Sequence, residues 1–276
     1  MHPDLVTRLP FTLTESSVLA VIPARYQSSR LPGKPLADIA GRPMIEHVYR
    51  RTASASSISA VVVATDDERI ASAVGAFGGV ALMTGADHAT GSDRIAEVVS
   101  ALPCRLVVNV QGDLPLIDPA TIDAAVGPLL ADPRLEMGTL SRPLRDHAEF
   151  LSPHVVKVVT NTHGRALYFS RGPIPYWRSP QSMVLGPQST VHGPQSVVPA
   201  AARAHVGLYV YRRDIILRLA TLPATPLEQL EVLEQLRALE HGIGIHVTDT
   251  DFDSIEVDTP DDLDRVRQRL LVASRT

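Results

Sequence analysis

The fold is decided by the stretch Val18-Leu19-Ala20-Val21-Ile22-Pro23-Ala24-Arg25-Tyr26-Gln27-Ser28-Ser29-Arg30-Leu31-Pro32-Gly33-Lys34-Pro35. Residues 18–22 are all apolar and end at Pro23, which predicts a buried strand. Arg25, Arg30 and Lys34 follow within a short loop. A buried parallel strand ends where ligands usually bind, and small residues there let backbone N–H groups approach anions. The loop therefore predicts a polyphosphate site, with a solvated basic turn as the alternative interpretation.

The loop lacks the spacing of two common nucleotide-binding motifs. It contains no Gly-x4-Gly-Lys-Ser/Thr, so it is not a Walker loop. No Gly-x-Gly-x-x-Gly follows the strand either, so it is not a dinucleotide fingerprint. Kinase and dehydrogenase functions are therefore disfavoured.

Length and charge limit the classes of protein that fit. The chain has 276 residues, 45% of them hydrophobic, which suits one large α/β domain or a domain with a sizeable insertion. Its formal net charge of -4 provides no global basic field. Nucleic-acid binding is therefore not expected, and any phosphate site must be a small local cluster.

The cysteine count and the apolar runs predict a cytoplasmic protein with no membrane contact. Cys104 is the only cysteine, which excludes an internal disulfide and fits a reducing compartment. No stretch approaches 18 uninterrupted apolar residues, and residues 1–17 lack the apolar run of a signal peptide. We expect 1–17 to be a short, loose leader.

Beyond the first loop, predicted helices and strands alternate. The elements are, in order, a helix at 43–49, a strand at 60–65, a helix at 66–75, a strand at 80–83, a helix at 92–101 and a strand at 106–110. Strands separated by helices predict a parallel sheet covered by helices.

The pattern loosens after residue 137. Strand-like stretches with little helical punctuation occur at 137–140, 155–160, 166–169 and 205–211, and they predict a mixed or antiparallel insertion. A Pro-Gln-Ser repeat follows Ser179, Gly186 and Gly193, and the proline in each copy forbids a continuous helix.

These observations predict the domain organisation. The core spans 18–137, and an insertion spans 138–225 with a mobile loop at 178–202. Residues 226–276 then return to the core, with helical texture at 226–240, a strand at 243–247 and a terminal helix from Pro260 to about Leu271.

Two aspartates follow predicted elements at sites suited to metal binding. Asp113 follows the strand at 106–110, so it should lie at the same sheet edge as the first loop. Asp258 precedes the terminal helix. Each could instead be a turn residue or a helix cap. Two carboxylates from distant segments would nevertheless suit Mg²⁺, which prefers one or two carboxylates together with phosphate oxygens and water.

The first loop, from Ile22 to Leu36, resembles the nucleotide-binding loop of the 3-deoxy-manno-octulosonate (Kdo) cytidylyltransferases. The resemblance covers nearly the whole chain from residue 18. Its further segments are Ala64-Thr65-Asp66, Met83-Thr84, Asp87-His88, Gly91-Ser92-Asp93-Arg94, Val108 to Asp113, Val155 to Val159, Ala166 to Arg171, His205 to Tyr209, Pro226 to Arg237, and Val257-Asp258-Thr259-Pro260.

The resemblance implies a fold and a reaction. The fold would be α/β and Rossmann-like, as in nucleotidyltransferases: a mostly parallel twisted sheet flanked by helices, with an inserted mixed or antiparallel subdomain. The reaction would join CMP from CTP to Kdo and release diphosphate, with Mg²⁺ as cofactor, for lipopolysaccharide synthesis. The resemblance also implies a homodimer that pairs through the insertion, which would also hold the sugar.

The resemblance assigns roles to individual residues. Magnesium would be held by Asp113 and Asp258, and the triphosphate by Arg25, Arg30 and Lys34, so these five form the implied catalytic set. The full nucleotide-binding set would be Pro23, Ala24, Arg25, Arg30, Lys34, Gly91, Ser92 and Arg94. The sugar acid is expected near Gln111, Arg171, His205, Tyr209, Glu234 and Gln235.

Several sugar-acid residues also have structural interpretations. Arg171 could clamp the sugar carboxylate through its planar fork, or it could form an ordinary ion pair. His205 starts an apolar strand, where a structural histidine is common, and Tyr209 could be a core aromatic. Glu234 and Gln235 are adjacent on a helix and cannot both face the same way, so one of them could serve packing.

One departure from the family pattern affects the substrate. Leu114-Pro115 follows Asp113 where the family commonly has Glu-Pro, so an acidic group near the metal site is missing. This leaves open a cytidylyltransferase for another acid, such as 8-amino-Kdo, a sialic-acid-like sugar or a phosphonate of a secondary-metabolite pathway. A nucleotide-binding regulator without turnover is the alternative from another class, and retention of both aspartates and all three loop cations argues against it.

Overall fold

A computed structural model describes residues 9–28, 30–88, 90–176, 178, 198–199, 201–252 and 255–273. These residues form two compact units. The first takes its residues from Met1–Arg134, Leu208–Thr221 and Phe252–Thr276, and the second from Leu135–Gly207 and Leu222–Asp251. Most of the predicted mobile loop, and residues 1–8 of the predicted leader, lie outside the described residues.

The strands are short and follow the apolar runs. In chain order they are β1 Val18–Ala24, β2 Asp38–Ile39, β3 Arg42–Pro43, β4 Ala60–Thr65, β5 Ala81–Met83, β6 Leu106–Asn109, β7 Met137–Pro143, β8 Lys157–Thr160, β9 Ala166–Ser170, β10 Arg203–Arg212 and β11 Ile245–Asp249.

Helices follow most of the strands. They are α1 Met44–Ala53, α2 Glu68–Ala76, α3 Gly91–Ser100, α4 Pro119–Ala131, α5 His147–Leu151, α6 Arg213–Leu219, α7 Pro226–Glu231, α8 Gln235–Glu240 and α9 Pro260–Ala273.

A mostly parallel sheet forms the first unit. β1 lies at its centre, parallel to β4 on one side and to β6 on the other, and β5 extends the sheet beyond β4. The second half of β10 pairs antiparallel with β6, with Tyr209 opposite Asn109. β1 and β4 read as continuous apolar runs because parallel strands under helices are buried on both faces. α1, α2, α3 and α6 pack against these strands.

The predicted elements of the core are confirmed to within about two residues, except that α1 continues to Ala53, beyond the predicted end at Tyr49. Two helices of the first unit, α4 and α6, were not predicted, and neither was α5 of the second unit. α4 begins with its Asp118 side chain accepting from the Ala120 N–H. Its exposed positions include Ala120, Gly127 and Leu130 rather than charged residues, so the sequence shows little contrast between a polar and an apolar face.

The second unit mixes strand directions, as the sequence predicts for the insertion. β11 is parallel to β7, and β8 pairs antiparallel with β9 and with the start of β10. Its extent differs from the predicted 138–225, because residues 226–251 belong to it as well and residues 208–221 belong to the first unit. The reason is pairing: β11 joins β7, and α8 packs on β9.

The helical texture at 226–240 is two short helices rather than one. Val232 separates α7 from α8 and adopts a left-handed conformation with φ 54°. A β-branched residue rarely adopts positive φ, so sequence propensity gives no sign of this break.

Among the residues that the structure describes, no helix combines the length and apolar character needed to cross a membrane.

Candidate active site

The loop after β1 is fixed by its own backbone. The Gly33 N–H donates to the Tyr26 carbonyl at 2.9 Å, and the Lys34 N–H donates to the Leu31 carbonyl at 3.1 Å. Gly33 has φ 70°, and a Cβ atom there would lie 3.2 Å from the Tyr26 ring. Glycine therefore fits this position, and the turn aims the Lys34 side chain.

Lys34 contacts both predicted metal-binding carboxylates. Its Nζ atom donates to Asp113 Oδ2 at 2.8 Å and to Asp258 Oδ1 at 3.1 Å. The two contacted oxygens therefore lie within about 6 Å of each other. Burial alone would lower the pKa of Lys34, but the two aspartates outweigh it and raise that pKa above its ordinary value. The ammonium group is thus fully charged at neutral pH.

A backbone contact explains how two aspartates so distant in sequence meet. The Val257 N–H donates to the Asp113 carbonyl at 3.0 Å. Val257 is buried in a cluster with Ile39 and Met44, which anchors the segment before α9. Asp258 is therefore placed by core packing, and its backbone N–H is further held by the Asp262 side chain at 3.1 Å.

The other two loop cations face different partners. Arg30 is largely exposed and pairs with Asp258 Oδ2 at 3.0 Å, so it joins the group around Lys34. Arg25 Nη2 instead donates to the carbonyls of His88 and Thr90. Arg25 therefore connects the first loop to the turn before α3, which contains the predicted nucleotide-recognition residues.

That turn ends in a capped helix. The Thr90 side chain accepts from the Asp93 N–H, and the Asp93 carboxylate accepts from the Thr90 N–H. Gly91, Ser92 and Arg94 lie in the first helical turn, and Ser92 and Arg94 are buried. Gly91 and Pro23 lie close together, since a Cβ atom on Gly91 would be 3.5 Å from Pro23 Cγ.

The sequence analysis missed a third carboxylate near the two aspartates. Desolvation of its carboxyl, together with repulsion from Asp113 and Asp258, raises the pKa of Glu256 to about 7, although the residue as a whole is exposed. The available signal was the position of Glu256 two residues before Asp258 in the sequence. Leu114, which stands where the resemblance led us to expect a glutamate, is buried in the core.

Two of the predicted sugar-acid residues, Gln111 and Tyr209, lie in the first unit. The Gln111 amide donates to Asn109 Oδ1 at 3.2 Å, and Tyr209 pairs opposite Asn109 in the sheet. The Tyr209 ring stacks on Tyr211, with centroids 6.0 Å apart. Asn109 is therefore the residue that links the two.

The other four, Arg171, His205, Glu234 and Gln235, lie in the second unit. Three backbone carbonyls accept hydrogen bonds from the Arg171 guanidinium: those of Glu231 at 2.8 Å, Pro153 at 3.1 Å and Val232 at 3.4 Å. A clamp on the sugar carboxylate would have to use its remaining N–H groups. Gln235 is buried within α8, which fits the packing role that the sequence allowed for one member of the Glu234–Gln235 pair.

Glu231, which the sequence analysis did not select, organises this region. Its carboxylate accepts from Ser170 Oγ at 2.6 Å and from the Arg171 N–H at 2.8 Å. Burial alone would raise the pKa of Glu231, but these hydrogen bonds hold it below its ordinary value. Glu231 therefore stays ionised and fixes the end of β9.

His205 is a neutral hydrogen-bonding group. Its Nε2 atom lies 2.9 Å from Thr139 Oγ1, and its ring meets the edge of Phe169 at 5.1 Å. Burial lowers the pKa of His205 to about 3. The imidazole is therefore uncharged at neutral pH, which suits binding through a hydrogen bond rather than through charge.

This pKa predicts a pH-dependent stability. The unfolded chain binds a proton on His205 below about pH 6.5, whereas the folded chain resists it, so stability falls as pH falls from about 6.5 towards 3. We expect His205→Asn to flatten the decline in melting temperature between pH 7 and pH 5. An unchanged slope in the variant, measured by thermal denaturation at each pH, would contradict the assignment.

The mostly parallel sheet, the cationic loop at its carboxyl edge and the paired aspartates define a protein of the nucleotidyltransferase class. The cytidylyltransferase family model matches residues 19–247. A 3-deoxy-manno-octulosonate cytidylyltransferase from Syntrophotalea carbinolica is 56% identical over 256 residues, covering 92% of this chain and 98% of its own. The chain belongs to the family of 3-deoxy-manno-octulosonate cytidylyltransferases.

Other similarities agree with this membership. The Geobacter sulfurreducens protein of the same name is 54% identical over 254 residues, and the alignment covers 99% of that protein. A structure of CMP:2-keto-3-deoxy-manno-octonic acid synthetase complexed with CTP aligns with a TM-score of 0.84 and 43% identity, over 95% of this chain and all of that one. A glucose-1-phosphate thymidylyltransferase from Bacillus anthracis aligns at a TM-score of 0.63 with 16% identity, over 92% of this chain and 95% of that one, and so shares the Rossmann-like fold alone.

Proposed function

We propose that the chain transfers CMP from CTP to Kdo and releases diphosphate, supplying activated sugar for lipopolysaccharide synthesis. The observation that supports this most is the Lys34 ammonium group held between Asp113 and Asp258. A triphosphate needs both cationic side chains and carboxylate-bound metal, and this sheet edge offers the residues for both. Membership of the family adds the identity of the two substrates.

The reaction is an in-line displacement at phosphorus. The oxygen of the sugar's anomeric 2-hydroxyl forms a bond to the α-phosphorus of CTP. At the same time, the bond between that phosphorus and the oxygen that bridges it to the β-phosphorus breaks. Pyrophosphate leaves with the electron pair of the broken bond, and the hydroxyl proton passes to solvent water. Arg25, Arg30 and Lys34 neutralise the charge that develops on the leaving group.

The residues at this site fit Mg²⁺. Asp113 and Asp258 would hold it, because magnesium takes one or two carboxylates and completes its shell with phosphate oxygens and water. The described residues contain no group of three or more His, Cys, Asp or Glu arranged to enclose a metal. Bound magnesium would acidify the attacking hydroxyl and screen the phosphates.

The remaining contacts divide between the nucleotide and the sugar acid. Pro23, Ala24, Gly91, Ser92 and Arg94 would bind the nucleotide beside the three loop cations. The sugar acid would be bound by Gln111, Arg171, His205, Tyr209, Glu234 and Gln235.

We further propose that the enzyme acts as a cytoplasmic homodimer that pairs through the insertion. The family resemblance supports the dimer, and the single buried cysteine fits a reducing compartment. The mass of the purified protein in solution, measured by light scattering, tests the dimer.

A pyrophosphate-release assay tests the reaction. Each of the four nucleoside triphosphates is paired with Kdo, 8-amino-Kdo, a sialic acid and a phosphonate, with and without Mg²⁺. We expect release with CTP, Kdo and Mg²⁺ together. Preference for another acid would replace the substrate, and no release with any pair would support a nucleotide-binding regulator instead.

A further inference from the structure

Arg94 is a fully buried arginine with unused hydrogen-bond donors. Its side chain is 0% exposed, Nη1 donates to Thr84 Oγ1, and Nη2 lies 3.3 Å from Asp66 Oδ1 as an ion pair. Within the part of the chain that the structure describes, Nε has no hydrogen-bond acceptor, and the ion pair with Asp66 occupies at most one of the two hydrogens on Nη2. A buried guanidinium with unpaired donors is costly, so these nitrogens are well placed to be satisfied by a ligand.

Rigid elements bring this cluster together. Asp66 directly follows β4 and Thr84 directly follows β5, and these strands are parallel neighbours. Both side chains therefore lie at the carboxyl edge of the sheet, where the first loop also lies. The Thr84 N–H donates to the Thr65 carbonyl at 2.9 Å, which fixes Thr84. Arg94 comes from the capped first turn of α3.

Asp66 supplies most of the charge compensation for Arg94. Burial lowers the pKa of Arg94, and the positive charge of Arg25 acts in the same direction. The carboxylate of Asp66 opposes both, with a smaller contribution from Glu97. Without Asp66, the repulsion between the positive charges of Arg25 and Arg94 would be offset by less negative charge.

Nε and Nη2 share one edge of the guanidinium plane. Nε–H and one Nη2–H point the same way and form a fork that suits two adjacent acceptors. Cytosine presents such a pair, its O2 and N3 atoms. Uracil carries a hydrogen on N3 and therefore offers a donor at that place. The fork thus distinguishes the two bases by hydrogen bonding.

We propose that Asp66 and Thr84 are positioning residues that hold the Arg94 fork towards the cytosine base, and so help the enzyme select CTP over UTP. This inference rests on the proposed function. It adds two residues that lie outside the proposed metal-binding and triphosphate-binding sets.

The test is the kinetics of Asp66→Asn, which keeps the shape of the side chain and removes its charge. We expect KM for CTP to rise by about tenfold, KM for the sugar acid to stay within about twofold, and the ratio of kcat/KM for CTP to that for UTP to fall by about tenfold. Thr84→Val should act in the same direction, and Thr84→Ser, which keeps the hydroxyl, should restore CTP binding.

Asp67→Asn is the matched control. Asp67 is the next residue, its carboxylate caps α2 and pairs with Arg69, and asparagine caps helices equally well. The same charge is lost one position away from Arg94, so KM for CTP should remain at the wild-type value.

Two results would overturn the proposal. One is a wild-type KM for CTP in Asp66→Asn. The other is an equal loss for CTP and UTP, which would indicate a phosphate contact. If Asp66→Asn does not fold, the Thr84→Val and Thr84→Ser pair decides between the same outcomes. If the wild type releases no pyrophosphate, the proposed function fails, and calorimetric titration of wild type and variants with CTP and with UTP still tests the inference.

Discussion

Asp113→Asn should lower turnover by about 10³-fold at saturating Mg²⁺ while the protein keeps its fold. Asparagine has the same shape but no charge, so the site would lose a proposed metal ligand and Lys34 would lose a charged partner at 2.8 Å. The Asp113 side chain is only partly buried, and its backbone carbonyl would still accept from Val257. Pyrophosphate release measures the loss, and circular dichroism checks the fold.

Asp118→Asn is the matched control for this variant. Asp118 lies five residues later at the same end of the sheet and caps α4, a role that asparagine also fills. Its turnover should equal that of the wild type. Full activity in Asp113→Asn would remove Asp113 from the metal site, and with it the proposed mechanism.

Lys157→Met should lower the free energy of unfolding by about 3–5 kcal/mol. Lys157 is 0% exposed, and its ammonium group donates to the carbonyls of Ser152 at 2.8 Å, Val155 at 2.7 Å and Arg171 at 2.6 Å. Methionine fills similar space but donates nothing, so three carbonyls would lose their partner. Urea denaturation followed by circular dichroism measures the change.

An exposed cation of the same unit provides the comparison. Arg145 has a side chain that is 55% exposed and lies 3.8 Å from Glu149, at the outer limit of an ion pair, so Arg145→Met should change stability by less than about 1 kcal/mol. Lys157→Arg should also destabilise, because a planar fork cannot replace three donors on one nitrogen. Wild-type stability in Lys157→Met would show that the three contacts contribute little.

The role of Lys157 illustrates what local sequence cannot show. Lys34 and Lys157 are the only lysines in the chain, and their neighbours place Lys34 in a Pro-Gly-Lys-Pro loop and Lys157 in an apolar strand without indicating which groups either ammonium contacts. One lies at a sheet edge between two carboxylates, and the other is enclosed by backbone carbonyls. The difference depends on which segments fold back onto each residue.

The same distinction applies to Arg171. Its position in the sequence and its planar fork favoured a carboxylate clamp, but the fork already serves backbone carbonyls of 153 and 231–232. Residue 153 lies well before Arg171 in the sequence, and residues 231–232 lie well after it. No local pattern therefore indicates these contacts. The clamp remains a prediction that the sugar-acid assay of an Arg171 variant can test.

The sequence by itself determined the parallel core and its cationic loop, because apolar runs, helix caps and glycine turns act between near neighbours. It also identified Asp113 and Asp258 as separate candidates. Only the tertiary structure decided that both carboxylates share the Lys34 ammonium group, that residues 226–251 join the second unit, and that Asp66 and Thr84 surround Arg94. Sheet pairing and core packing bring the residues of each contact together. Contacts between such distant segments leave no periodic pattern in the sequence.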